Sequence, residues 1–313
     1  VDPYKGCMDI VNKLLHPVSE AFKEDPVRVL RAARFNARYP DFRYSNLLKE
    51  YCDQMHTAGD LYSLTPERVW KETEKALSTS KPSIFFNNLL PYGIFKDINY
   101  LWGIPQKVEH HPEVDTFIHT MLVIDYAAKT YNDSEITFGG LMHDLGKYTS
   151  YKEAGNAICH EDNGLPLIES FCSEFKVPNS YRDLALLATK VHTKVHGVLG
   201  RGDNSGMKPK SIMKMFQETN ALGKPDRFMK ILKVCEADSR GRGANPTQVK
   251  DFESKEYPQR LYLEECLNAV LKLDTKELSA RMLLQSKSGI QIGEAIRVER
   301  INTIRGVTNK WKS

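Results

Sequence analysis

Two segments of this chain carry the start signals and apolar spacing of α-helices, and they constrain the fold more than any other feature. The first, EDPVRVLRAARFNARY (24–39), has acids at its start and a proline in its first turn. The second, TPERVWKETEKAL (65–77), places Thr65 as predicted N-cap, Pro66 at the first helical position and Glu67 behind it. Proline favours the first turn of a helix, and a threonine oxygen can satisfy a free amide there. Both segments are therefore predicted helices.

Apolar residues recur at helical spacing in most of the remaining chain. The clearest further examples are TFIHTMLVIDYAAKTY (116–131), YRDLALLATKVHTKVHG (181–197), KSIMKMFQETNAL (210–222), RFMKILKVCEADSRG (227–241) and QRLYLEECLNAVLKL (259–273). No segment shows a convincing strand alternation. The sequence predicts an all-α protein.

Turn-rich breaks divide the pattern at 102–115, 199–210 and 240–248. We place domain boundaries at the first and the last of these breaks, near residues 105 and 245. They predict three regions, 1–105, 106–245 and 246–313, of which the middle one has the size of a single domain. The 313 residues are 41% hydrophobic, which is enough for a substantial buried core.

The composition argues against a membrane or secreted protein. No apolar run approaches the roughly 20 residues of a bilayer span, and the start, VDPYKGCMDI, is polar. The cysteines are scattered without a CxxC motif, which indicates free thiols in a reducing compartment. They are Cys7, Cys52, Cys159, Cys172, Cys235 and Cys266. We expect a cytoplasmic protein that does not enter a membrane.

Positive charge is concentrated in one region. The net charge is only +4, but residues 190–242 hold twelve Lys/Arg against five Asp/Glu. Such a cluster can follow a phosphate backbone. A well-solvated helical surface explains the same composition, and the sequence leaves both interpretations open.

Histidine and aspartate residues cluster in the middle region. His143 and Asp144 follow the apolar run FGGLM, His119 lies in the apolar helix TFIHTML, and Asp238 ends another apolar helix. Because a buried carboxylate is costly unless it is paired or metal-bound, the pair is either a divalent metal site or a self-satisfied core pair. Imidazole with carboxylate suits transition ions, Mg²⁺ or Mn²⁺.

The order H…HD…D resembles the HD superfamily of metal-dependent phosphohydrolases. The resemblance implies a ligand set for a divalent metal ion, made of His119, His143, Asp144 and Asp238. It implies that a metal-activated water attacks a phosphoester, with His143, Asp144 and Lys147 as catalytic residues. Lys147 would neutralise phosphate charge, or else it is a solvated lysine at a helix end. His160 in HEDNG and His192 in VHTKVHG would be phosphate contacts or ligands of a second metal.

Arginines are gathered on one side of the 24–39 segment. On a helical wheel Arg28, Arg31, Arg34 and Arg38 fall within about 120°, opposite the apolar residues. An amphipathic helix with a Glu24–Arg28 pair explains much of this pattern. It does not explain four gathered arginines.

The stretch DPYKGCMDIVNKLLHPVSEAFKEDPVRVLRAARF resembles the head-to-neck segment of the bacterial CCA-adding enzymes, which are tRNA nucleotidyltransferases. EDPVR resembles their EDxxR motif, which implies that Asp25 and Arg28 hydrogen-bond the base of the incoming CTP or ATP. Arg31 would be the next nucleotide contact. ERVWKE (Glu67, Arg68, Glu72) matches the ERxxxE motif that braces this template helix.

The resemblance continues in order along essentially the whole chain. It runs through HHPEVDTFIHT, HDLGK, VPNSYRDLALL, KPDRFMKILKVCEADSRGR and GIQIGEAIRVERINTI. It implies a helical neck, an HD-type phosphohydrolase domain and a helical tail that bind nucleotides and the tRNA acceptor arm. The domain would hydrolyse small phosphoesters such as 2′,3′-cyclic nucleotides or 2′-nucleotides.

One element of the family pattern does not appear. No Gly-Gly turn followed by an Asp-x-Asp pair precedes residue 24, and the first residue is Val. We therefore expect a fragment or one half of a split enzyme, with the catalytic head either upstream or on a separate chain. On this expectation the chain alone adds no CMP or AMP, and CTP and ATP are substrates only if a head is supplied.

Two alternatives remain at this point. The chain is a tRNA-binding subunit without catalysis that uses the basic 190–242 region, or it is a free-standing HD nucleotidase. Metal content distinguishes the first alternative from a phosphohydrolase, and a steep salt dependence of tRNA affinity distinguishes it from the second.

Overall fold

A computed structural model describes residues 2–200 and 206–312, and they confirm the all-α prediction. The helices are α1 (Gly6–Val11), α2 (Val27–Arg38), α3 (Asn46–Thr57), α4 (Pro66–Leu77), α5 (Pro82–Leu89), α6 (Lys96–Asn99), α7 (Thr116–Tyr131), α8 (Ser134–Met142), α9 (Lys147–Ala154), α10 (His160–Glu174), α11 (Asn179–His196), α12 (Pro209–Glu218), α13 (Pro225–Arg240), α14 (Pro246–Ser254), α15 (Pro258–Leu271), α16 (Thr275–Leu284) and α17 (Gly289–Lys312).

The described part of the chain contains two β-strands of two residues each and an isolated β-bridge between Pro105 and Asp115. β1 (Leu14–Leu15) and β2 (Arg43–Tyr44) pair in parallel, with Leu14 opposite Arg43. Short 3₁₀ helices form at Glu20–Glu24, Asp60–Ser63 and Leu90–Tyr92.

The described residues form two compact units. The first contains residues 2–190 and 237–255, and the second contains residues 191–236 and 256–312. The functional division at residues 105 and 245 into neck, HD domain and tail stays a prediction.

Helix starts in the first unit follow the capping chemistry expected from the sequence. Pro66 begins α4, and Thr65 before it accepts the backbone N–H groups of Arg68 and Val69 through its carbonyl oxygen. Asp25 precedes α2, and its carboxylate accepts the Val27 N–H at 3.1 Å. Side-chain oxygens therefore satisfy some of the free amides at helix starts, while Thr65 contributes only its backbone.

The core of the first unit is rich in phenylalanine. Phe85, Phe117, Phe138 and Phe171 are among its fully buried side chains. The ring of Phe138 meets that of Trp70 edge-on at 5.5 Å between centroids. This core buries most of α7 and α8, so polar side chains on those helices are removed from water.

The second unit is held by its last long helices. Tyr262 of α15 is fully buried against Trp311 of α17, and its hydroxyl lies 2.8 Å from the Thr308 hydroxyl. Trp311 Nε1 donates to Glu265 at 2.7 Å, which joins the same two helices at the surface.

Two further observations bear on cellular context. No helix in the described residues combines the length and the apolar character that a membrane span requires. Cys7 and Cys159 are exposed, the other four cysteines are buried, and all six are free thiols.

Candidate functional site

Four predicted ligands of the first unit come together in its interior. His119 lies on α7, His143 caps the end of α8, Asp144 follows it directly, and Asp238 is near the end of α13. Their exposed fractions are 0% for His119, 0% for His143, 1% for Asp144 and 4% for Asp238. The four side chains are therefore withdrawn from solvent and must satisfy one another, other protein groups or a ligand.

Close backbone approaches bring these elements together. A Cβ on Gly146 would overlap the His160 carbonyl oxygen and the Gly164 nitrogen, so only glycine allows α9 and α10 to meet there. A Cβ on Gly241 would lie 2.6 Å from the Val123 nitrogen, so the end of α13 approaches α7 only without a side chain. These two glycines therefore permit the packing that places His160 and Asp238 at the site.

The donor atoms of the four residues converge. His119 Nε2 lies 3.1 Å from Asp238 Oδ1 and 3.8 Å from Asp144 Oδ2. His143 Nε2 lies 3.2 Å from Asp144 Oδ2 and 3.7 Å from Asp238 Oδ1. Two imidazole nitrogens and two carboxylates therefore surround one small volume.

The Nδ1 atoms of His143 and His160 each face a backbone carbonyl oxygen. Nδ1 of His143 lies 2.7 Å from the Gly140 carbonyl oxygen, and Nδ1 of His160 lies 2.8 Å from the Ala157 carbonyl oxygen. A carbonyl oxygen only accepts, so Nδ1 carries the proton in both rings. In the neutral ring Nε2 would present its lone pair to the carboxylates, which is the arrangement of metal-binding histidines. Burial lowers the pKa of His143, but Asp144 and Asp238 outweigh burial and raise that pKa, so without a metal the carboxylates favour the charged ring.

The donor set fits a divalent cation. Adjacent ligands with bonds of about 2.1 Å lie about 3.0 to 3.4 Å apart in octahedral or tetrahedral sites. The 3.1 and 3.2 Å separations match this spacing, and the 3.7 and 3.8 Å separations require shifts of only tenths of an ångström. Mixed imidazole and carboxylate ligands suit transition ions or Mn²⁺.

Each carboxylate also has a cationic neighbour. Lys147 Nζ lies 2.6 Å from Asp144 Oδ2, and an Arg242 nitrogen lies 3.2 Å from Asp238 Oδ1. Burial raises the pKa of Asp144, but the nearby His143 and Lys147 charges outweigh burial and hold that pKa well below its usual range. Asp144 is therefore ionised at neutral pH.

The two remaining predicted histidines fall in different units. His160 begins α10, and its Nε2 lies 3.4 Å from Asp144 Oδ1, at the edge of the cluster. Burial lowers the pKa of His160, but its contact with Asp144 reverses the effect and raises it. His192 lies on α11 and belongs to the second unit. Its predicted role in phosphate or second-metal binding stays a prediction.

The sequence analysis did not identify three contributors to this cluster, which are His111, Glu113 and Arg242. Glu113 contacts two histidines, with Oε1 2.9 Å from His119 Nδ1 and 3.0 Å from His111 Nδ1. Arg242 donates to the His110 carbonyl oxygen at 2.9 Å as well as to Asp238. The segment HHPEVD, which precedes α7, contained the available signal, because an acid and two histidines stand together before a capped helix start.

A second candidate site lies beside α2, in the first unit. A cleft of about 450 Å³ opens beside α2 and is lined by Arg28 and Arg31 together with His16, Phe22 and Phe35. Arg28 donates to the Ala21 carbonyl oxygen, so its guanidinium is fixed against the 3₁₀ turn. Arg31 is exposed at the cleft. A cleft with guanidinium and aromatic groups offers contacts for phosphate or for the face and edge of a base.

The ERxxxE residues support α2 through two ion pairs. Arg68 donates to Asp25 at 2.7 Å, and Glu72 accepts from Arg34 at 2.6 Å. The Arg34–Glu72 pair is largely buried, so Arg34 serves packing between α2 and α4. The predicted amphipathic pairing of Arg28 gives way to its contact with Ala21.

The chain is similar in sequence to curated bacterial proteins along almost its whole length. It is 37% identical over 309 residues to the multifunctional CCA protein of Ralstonia nicotianae, covering 97% of this chain and 68% of that protein. It is 36% identical to the multifunctional CCA protein of Thioalkalivibrio sulfidiphilus, covering 99% of this chain and 74% of that protein. The chain belongs to the multifunctional CCA protein family. No protein-family model matches it.

Solved structures share the fold of this multifunctional CCA family member at low identity. A CCA-adding enzyme in complex with ATP has a TM-score of 0.55 and 13% identity over 97% of this chain and 61% of that chain. A tRNA-processing enzyme in an apo form has a TM-score of 0.52 and 16% identity over 97% of this chain and 66% of that chain. None of these similarities supports a separate chain that carries the head.

Proposed function

We propose that this member of the multifunctional CCA family carries a metal-dependent phosphohydrolase site of the HD type and takes part in CCA addition to tRNA. The observation that supports the hydrolase site best is the convergence of His119 and His143 Nε2 with Asp144 and Asp238 in a buried volume. A pair that merely satisfied itself in a core would not need four donors from three helices and a turn.

The residues of the site divide the work of phosphoester hydrolysis. A divalent ion held by His119, His143, Asp144 and Asp238 would supply Lewis acidity and a nucleophilic water at neutral pH. Lys147, beside Asp144, offers its ammonium to phosphate oxygens, and His160 at the edge of the cluster offers a second polar contact. Because the site is small and enclosed by helices, we propose small phosphoesters as substrates, such as 2′,3′-cyclic nucleotides or 2′-nucleotides.

The cleft beside α2 is proposed to recognise CTP or ATP. Arg28 and Arg31 line it, whereas Asp25, which is ion-paired with Arg68, is not among the lining residues and its contact with a base stays a prediction. A guanidinium suits the acceptor edge of cytosine or a phosphate group. The printed names of a CCA-adding enzyme with ATP and of a tRNA-processing enzyme support nucleotides and tRNA as partners. That the basic 190–242 region follows the acceptor arm stays a prediction, and its residues 201–205 lie outside the described residues. The free thiols support a cytoplasmic location. That nucleotidyl transfer requires a head beyond this chain stays a prediction.

A screen of divalent metals against 2′,3′-cyclic nucleotides and 2′-nucleotides tests the hydrolase. We expect metal-dependent hydrolysis by the wild-type protein and at least a 100-fold loss in Asp144→Ala, which removes a ligand carboxylate. Asp162→Ala is the matched control, because Asp162 is exposed on α10 and lies outside the ligand set. Equal activity in the wild type and Asp144→Ala would contradict the proposed hydrolase site.

A further inference from the structure

Glu113 is a buried carboxylate that the proposed chemistry does not use. Its side chain is fully enclosed in the segment before α7. Oε1 lies 2.9 Å from His119 Nδ1 and 3.0 Å from His111 Nδ1, and Oε2 accepts the Gly243 backbone N–H at 3.1 Å. Three groups from two sides of the site therefore converge on this one carboxylate.

The His111–Glu113–His119 cluster is better described by hydrogen bonding than by a second metal. These three side chains offer donor atoms close enough to hold an ion. However, His119 already directs Nε2 at Asp238 Oδ1 across 3.1 Å. A metal on each nitrogen would require the His119 ring to lose both protons. His111 Nδ1 lies at hydrogen-bond distance and geometry, 3.0 Å from Glu113 Oε1, and His119 Nδ1 lies 2.9 Å from the same oxygen.

We propose that Glu113 is a positioning residue that fixes His119 in the Nδ1–H tautomer and aims its Nε2 lone pair into the proposed metal site. The inference rests on the proposed function, because only a metal site gives this tautomer a role. The contacts of Glu113 themselves are observed in the structure. The 2.9 Å contact with Glu113 favours a proton on Nδ1, and the 3.1 Å contact with Asp238 favours one on Nε2. A divalent ion bound at Nε2 would exclude the second form and leave the proton on Nδ1, facing Glu113. Carboxylate partners of this kind orient metal-binding histidines and raise their basicity.

The same segment connects two ligands that are distant in the chain. Glu113 holds His119 on one side and the Gly243 amide on the other. Arg242 donates to the His110 carbonyl oxygen at 2.9 Å and to Asp238 Oδ1 at 3.2 Å. The segment before α7 is thereby tied to the loop after α13, so His119 and Asp238 are held in register by one small network.

Glutamine at position 113 cannot reproduce this arrangement. An amide of the same shape presents one oxygen and one NH₂ group. If its oxygen faces His119, its NH₂ group faces the Gly243 N–H, and that amide loses its acceptor. If the amide is reversed, its NH₂ group faces Nδ1 and favours the Nε2–H tautomer. Either orientation disturbs the site although the side-chain volume is unchanged.

Two measurements on the full chain test the role of Glu113. The first is the affinity for Mn²⁺ alone, measured by titration calorimetry on the wild type, Glu113→Gln and the control Glu109→Gln. Glu109 is exposed on the same segment. We expect a 10- to 100-fold weaker Kd in Glu113→Gln, the usual effect of losing such a partner, and no change in the control.

The second measurement is the tautomer of His119 in the metal-free protein. Imidazole ¹⁵N–¹H correlation spectra are recorded near pH 9 on the wild type and the variants under the same conditions. The His119 signals are assigned by their loss in His119→Gln. We expect Nδ1–H in the wild type and a gain of Nε2–H in Glu113→Leu, which offers Nδ1 no acceptor in any orientation. A residue that only supported the fold would leave this signature unchanged.

The outcomes separate this inference from the proposed function. Failure of the wild type to bind Mn²⁺ would remove the metal site, and the wild-type tautomer would still decide the role of Glu113. Mn²⁺ binding of equal affinity in wild type and Glu113→Gln would overturn the inference alone. If Glu113→Gln does not fold, the wild type and Glu113→Asp decide the question. Nε2–H at His119 in the wild type contradicts the inference. Nδ1–H in the wild type, together with weakened Mn²⁺ binding in Glu113→Asp, supports it.

Discussion

Replacing Lys147 by methionine should destabilise the metal-free protein and enlarge the stabilisation that it gains from a divalent ion. Lys147 Nζ lies 2.6 Å from Asp144 Oδ2, with side-chain exposures of 11% and 2% respectively. Removing one partner of a buried ion pair costs about 3–5 kcal/mol. Because His143 and His160 also face Asp144, we expect the lower end, about 3 kcal/mol, and a fall in Tm of about 6 °C or more.

The response to metal provides the sharper part of this test. The ammonium group and a divalent cation both neutralise the Asp144 carboxylate, so each opposes the presence of the other. A ligand stabilises the folded state in proportion to its affinity and concentration. The Tm of Lys147→Met should therefore rise more on addition of Mn²⁺ than the Tm of the wild type.

Thermal unfolding with and without Mn²⁺ measures both effects, with Lys152→Met as the control. Lys152 lies on the same helix and is exposed, so its replacement should change stability by no more than about 0.5 kcal/mol. A Lys147→Met protein as stable as the wild type would refute the buried ion pair. An Mn²⁺-induced shift no larger than that of the wild type would refute competition for Asp144.

Two further predictions concern α2. Burial raises the pKa of Glu72, but hydrogen bonds from Arg34 and Lys75 outweigh burial and hold that pKa below its usual value of 4.5. Its charge therefore stabilises the folded state above pH 4.5, and this contribution is lost as pH falls further. Glu72→Gln should lower the free energy of unfolding by about 2 kcal/mol at neutral pH, and denaturation at stepped pH should show the difference shrinking in acid; exposed Glu67→Gln is the control. In the cleft, Arg31→Ala should weaken ATP or CTP binding about 10-fold in a fluorescence titration, and an equal loss in Arg38→Ala would contradict a specific contact.

Helical periodicity and spacing anticipated much of this molecule because both are local. His119 follows from an apolar helix, and His143 with Asp144 follows from a polar pair that ends a buried run. Asp238 required the order of motifs in a resembling family, since no local pattern connects α13 to α7. The structure places all four together, although their ligand role stays a proposal.

The partners of these residues could not be found in the same way. Glu113 lies in a turn without periodicity, and its contact with the Gly243 amide joins distant parts of the chain. Arg34 appears equivalent to Arg28 and Arg31 on a helical wheel. Packing against α4 nevertheless commits it to Glu72, whereas Arg28 and Arg31 line the cleft. Such distinctions depend on tertiary contacts, which a single sequence does not encode in any short pattern.

Anomalous diffraction at the manganese absorption edge, from crystals soaked in Mn²⁺, tests the central claim most directly. We expect a single strong peak at bonding distance, about 2.1–2.2 Å, from the Nε2 atoms of His119 and His143 and from carboxylate oxygens of Asp144 and Asp238. The same soak of Asp144→Ala should lose the peak. No peak at millimolar Mn²⁺, or a peak that these four side chains do not coordinate, would contradict the account.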